Sequence, residues 1–120
     1  MSIYVSTSSA HVVLERWSIR EADGGQRHFV GFSIIDCDGR VSTPIRSFDP
    51  VTRTGSTESG STYQLVGRAG HDKDAEYVWT HAAKAWNIKA WKDVTQDLVP
   101  DWRQGLPADT PFQDDRAMRR

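Results

Sequence analysis

Cys37 is the only cysteine in 120 residues, so the chain cannot cross-link itself and has no paired-thiol zinc or redox motif. Flanked by Asp36 and Asp38, this thiol also lacks the electropositive surroundings that make a cysteine reactive. Lysine is absent from the first 70 residues, where seven arginines stand against seven acidic residues. The formal net charge of the whole chain is -1, so no global field draws it to nucleic acid or to an anionic membrane. No uncharged stretch reaches the roughly 18 residues that a membrane helix requires. The opening MSIYVSTSSA has neither a basic nor an apolar leader region. Together these absences predict a protein of the reducing cytoplasm with no membrane partner. Hydrophobic residues are scarce as well, at 38% against about 45–50% for globular chains.

Rings, by contrast, are plentiful: five Trp, three Tyr and four Phe. Disordered segments seldom carry so many, and 120 residues suffice for one core but not two. A single domain over residues 1–104 is expected. Residues 105–120 have two prolines and few large apolar side chains, which predicts a flexible C-terminal tail.

From His11 to Gly67 short runs of Val, Ile, Thr and aromatics are broken by turn formers, the pattern of strands. His11 to Arg20 places Val13, Trp17 and Ile19 on one face by alternation, and Ala22 to Gln26 reads as a hairpin turn. Arg27 to Asp36 is apolar on both faces, which predicts a central strand. Asp38-Gly39 suits a two-residue turn, with Arg40 to Phe48 returning as a strand that Pro44 weakens to an edge or bulge. Thr52 to Thr57 and Ser61 to Val66 complete an antiparallel meander. At His71 the period changes: Ala75, Val78, Trp79, Ala82 and Trp86 form one helical stripe, capped by Asp72 or Asp74 and ended by a left-handed Asn87. Ile88 to Val94 fits either a helical turn or an extended piece, and Thr95 to Trp102 allows a second short helix. The expected fold is therefore α+β, an antiparallel sheet of about five strands coiled into a partial barrel. One main helix, Asp74 to Trp86, packs on it.

No hydrolase elbow, metalloprotease, dinucleotide, phosphate-loop or kinase motif is present. In His71-Asp72-Lys73-Asp74 with Glu76 and His81, the helical spacing scatters the ligand types and Lys73 repels a cation. No catalytic residue, metal or cofactor is assigned, and the expectation is a protein that is not an enzyme. Trp91 and Trp102 fall outside the helical stripe, and exposed Trp with Arg and Tyr is the composition of an interface hot spot. Trp91, Trp102, Arg16, Arg20 and Tyr63 are thus the candidate partner-binding residues, for another protein or for a second copy of this chain. Arg16 with Arg20, and Arg40 with Arg46, share faces by alternation. That leaves a single-stranded nucleic-acid-binding barrel as an alternative, with a small hydrolase lacking any known motif as a second.

The run STESGSTYQLVG (56–67), the Trp-bearing first strand, the Val-Gly-Phe second strand, the helix DAEYVW and the later W-x-D-V-T resemble small bacterial and phage- or prophage-encoded proteins over residues 11–95. The resemblance implies a prokaryotic or mobile-element origin and an accessory role that modulates a host complex, such as a defence system. It supplies no catalytic residue.

Overall fold

The computed structural model describes residues 10–105. The expected tail therefore lies, apart from Gly105, outside the described residues. The elements run β1 (His11–Ala22), β2 (Arg27–Ser33), β3 (Asp38–Val41), β4 (Ile45–Asp49), β5 (Thr54–Thr57), β6 (Thr62–Leu65), α1 (Lys73–Ala85), β7 (Trp91–Asp93) and α2 (Thr95–Leu98). The class is α+β, with one main helix and a mostly antiparallel sheet. The sheet has seven strands rather than about five, in the order β3-β2-β1-β6-β5-β4 with β7 added to β1.

Two three-stranded antiparallel meanders, β1-β2-β3 and β4-β5-β6, are joined by a parallel pair, β1 with β6. Parallel pairing was not expected. It arises because the run Arg40 to Phe48 is not one strand: Ser42, Thr43 and Pro44 interrupt it, and the chain crosses from one sheet edge to the other. That link can span at most about 14 Å, so the sheet must curl. Phe29 of β2 and Phe48 of β4 meet inside the curl edge-to-face, 5.6 Å apart. No ladder joins β3 to β4, and the sheet stays open instead of closing as a barrel.

An extra residue near Arg16 decides which side chains enter the curl. Glu15 pairs with Phe32 but Ser18 with Val30, a bulge that Arg16 accommodates at φ 47. The alternation shifts by one there. Val12 and Leu14, rather than Val13, join Trp17 and Ile19 in the inner core with Phe29, Tyr63, Leu65, Val94 and Val99. The outer face of β1-β2-β3 is covered by α1, whose Ala75, Trp79 and Ala82 pack on Val30 and Val41.

The helix begins where the sequence places it. Asp72 caps it, accepting from the Ala75 amide at 3.0 Å, and Asn87 takes the left-handed position at φ 59. The β2–β3 turn differs from expectation. It is formed by Ile34 to Cys37, and Asp38-Gly39 lies within β3, opposite Ser33 and Phe32. Gly39 serves a close approach instead: a Cβ there would sit 2.4 Å from the Ala75 nitrogen. Residues 91–93 are extended, and the second helix stops at Leu98 rather than reaching Trp102.

Candidate functional site

Beyond the bulge, β1 turns Ser18 and Arg20 toward α1. The β1–β2 register sets His28 directly across from Arg20. Two nitrogen-rich side chains thus stand side by side on the outer sheet face. Three indole rings cover them. Trp79 from α1 lies 5.3 Å from the Arg20 guanidinium and 5.8 Å from the His28 ring. Trp91, which β7 places beside Ala22, lies over Arg20 at 4.6 Å and meets Trp79 edge-on at 5.4 Å. Trp86, just past α1, stacks on His28 at 4.8 Å and 18°.

Charge in this layer is compensated from one side. Arg20 is 1% exposed, and both its terminal nitrogens donate to Glu76 on α1, Nη1 at 3.0 Å. A guanidinium so buried is tolerated because a carboxylate and two ring faces replace its water. Nδ1 of His28 faces the Ser42 carbonyl at 2.9 Å. Burial pushes the His28 pKa below its ordinary value, with Ser42 and the charge of Glu58 opposing it. Nε of Arg20 and Nε1 of Trp79 are buried without an acceptor. The outer edges of the two flanking rings remain in solvent: Trp91 is 44% exposed and Trp86 36%.

The five residues singled out from the sequence do not form one surface. Arg20 and Trp91 come together in this layer, with Arg20 beneath and only Trp91 outside. Arg16 and Trp102 line a separate groove. Tyr63 is 1% exposed, stacked on Phe29 at 5.2 Å, and its hydroxyl accepts from Arg40 Nε at 3.1 Å. It belongs to the inner core, where burial raises its pKa, and it offers nothing to a partner. Trp86, expected in the helical core stripe, is half outside it.

The strand arginines form no continuous face either, because most already have partners. Arg16 binds Asp72 and Glu15, Arg27 binds Glu21, and Arg40 binds Asp36. Arg20 and Arg53 are buried, the latter donating to the carbonyls of Gly67, Asp101 and Gln104. His28 and Arg53 were missed by the sequence reading. The pairing of His28 with Arg20 was available from the hairpin, since both lie four residues from Gly24. Nothing in the sequence marked Arg53.

Among the described residues no three His, Cys, Asp or Glu lie close enough together to hold a metal ion. In the cluster from His71, Asp72 is committed to the helix cap and Arg16, and Glu76 to Arg20. Among the described residues no helix is long and apolar enough to cross a membrane. No family model, curated protein or solved structure matches this chain.

Proposed function

We propose that the protein is a non-catalytic binding module of the cytoplasm and that the exposed edges of Trp86 and Trp91 contact a protein partner. One observation carries this reading: two large rings are half exposed while their inner faces are fixed on His28 and Arg20. Such rings lose little freedom on binding, which is how aromatic hot spots convert a small contact area into affinity. The resemblance to small phage and prophage proteins makes a complex of the bacterial host the partner class we propose. The single-stranded nucleic-acid alternative gains nothing from the arginines, because most of the strand-region set is ion-paired or buried.

A photo-crosslinker at Lys89, exposed in the link between Trp86 and Trp91, tests the face against one at Val51, 81% exposed. In a bacterial lysate the Lys89 probe is expected to give a protein adduct that unlabelled wild type competes away. A Trp86→Ala, Trp91→Ala variant with native circular dichroism should not compete. Absence of a competed adduct, or an adduct that proves to be a second copy of this chain, overturns the reading.

A further inference from the structure

A second concave site lies apart from the tryptophan layer. It sits at the β1 bulge, about 20 Å along the strand from Ala22 at the usual rise per residue. We propose that this groove binds an acidic peptide segment bearing one bulky apolar side chain, contributed by a protein partner. The groove has a volume of about 530 Å³, with Arg16 and Glu15 on one wall, Val66 to Ala69 on another, and Trp102 and Arg103 on the third. Through Ala69 and Trp102 it continues into a smaller concavity of about 340 Å³ that reaches His71, Gln96 and one carboxylate, Asp93, which accepts from the Thr95 amide. The acidic groups of a ligand therefore belong beside Arg68 and Arg103, and its apolar side chain in this extension. Together these hold a few side chains, which suits a segment of chain rather than a folded surface.

The charge in the groove is one-sided once its internal pairs are set apart. Arg16 and Glu15 bind each other, and Arg16 also binds Asp72. Arg68 and Arg103 are exposed and have no carboxylate partner among the described residues. Arg103 is laid over the Trp102 ring at 4.8 Å. Planar guanidinium groups match carboxylates with two parallel hydrogen bonds. Val66, Ala69 and the ring of Trp102 supply an apolar floor between them.

The walls are also tied to each other from below. Arg53 Nη1 donates to Gly67 O at 3.1 Å and to Gln104 O at 2.7 Å, and Nη2 donates to Asp101 O at 2.9 Å. The Ala69 amide donates to Trp102 O at 3.0 Å. One buried guanidinium thereby fixes the spacing between the wall carrying Arg68 and the wall carrying Arg103. A groove so preset loses little entropy on accepting a ligand. Two unpaired arginines on a chain of net charge -1 are too few for the repeated phosphate contacts that nucleic acid requires.

The probe is fluorescein-labelled LPADTPFQDD, the sequence of residues 106–115, with analogues carrying Asn for each Asp or Ala for Phe. The host is the full chain bearing Asp109→Asn, Asp114→Asn and Asp115→Asn, so that its own acidic stretch cannot compete. Fluorescence anisotropy should show binding that weakens with salt. We expect a loss of roughly tenfold or more for either analogue and for an Arg68→Glu, Arg103→Glu host whose melting curve is unchanged. Equal binding of the Asn analogue, indifference to the charge reversal, or tighter binding of a dodecamer oligonucleotide overturns the proposal. Probe binding at least tenfold weaker to the wild-type chain than to the Asn-substituted host also overturns it, assigning the groove to the chain's own segment. A failed crosslink at Lys89 leaves this result untouched, since the two sites share no residue.

Discussion

His28 and Arg20 are neighbours across one strand pair, yet the fold treats them differently. Arg20 is paired with the Glu76 carboxylate, whereas His28 packs against ring faces and the Ser42 carbonyl, and the charge of Glu58 opposes its burial without cancelling it. Burial lowers the His28 pKa, so the folded state prefers the neutral ring. The unfolded chain then binds the proton more readily. The stability contributed by the neutral ring is complete above the ordinary value near 6.5 and is lost as pH falls from there toward the depressed folded value. Urea midpoints measured from pH 7.5 down to 5.5 should therefore decline, and His28→Gln should flatten that decline. An identical slope in the variant would place the titration elsewhere. Neither the burial of His28 nor that of Arg20 is legible in composition, since Arg is usually exposed and His is found both inside and outside. Each becomes tolerable only after α1 and β7 bring in their rings.

Among the elements, α1 was the most legible. Its stripe, its cap at Asp72 and its stop at Asn87 follow from local chemistry that operates within one or two turns. Strand pairing was less so, because the bulge at Arg16 and the break at Ser42 to Pro44 each shift side chains without an unmistakable local mark. Gly39 shows how one residue misleads. Beside Asp38 it fits a turn, but its role is to let the start of α1 lie against β3. Gly39→Ala is thus expected to lower stability by about 2–3 kcal/mol through overpacking. Gly24→Ala, with nothing within 4 Å, should change it by no more than about 0.5 kcal/mol. Equal urea midpoints for the two variants would mean that helix and strand do not meet at Gly39.

For the molecule as a whole, Arg53 ties the segment at residues 101–104 to the end of β6. It lies over the Trp17 ring at 5.4 Å, is 1% exposed, and takes φ 56 to reach the carbonyls of residues 67, 101 and 104. Arg53→Met should speed hydrogen exchange at the Ala69 amide and expose Trp102 to acrylamide quenching. A stability loss of about 2–4 kcal/mol should accompany this, as three carbonyls lose their donor. Unchanged protection at Ala69 would show that the segment from Val99 to Gln104 stays in place without Arg53. The sequence by itself determined the α+β class, the stretches that become β1, β2, β5 and β6, and the extent of α1, because these depend on local periodicity and composition. Only the tertiary structure decided that β1 and β6 run parallel and that Tyr63 and Arg20 are interior. It likewise decided that Trp86 and Trp91 share one layer while Trp102 lines another site. Those outcomes depend on contacts between residues some 20 to 70 positions apart in the chain, which no local pattern encodes.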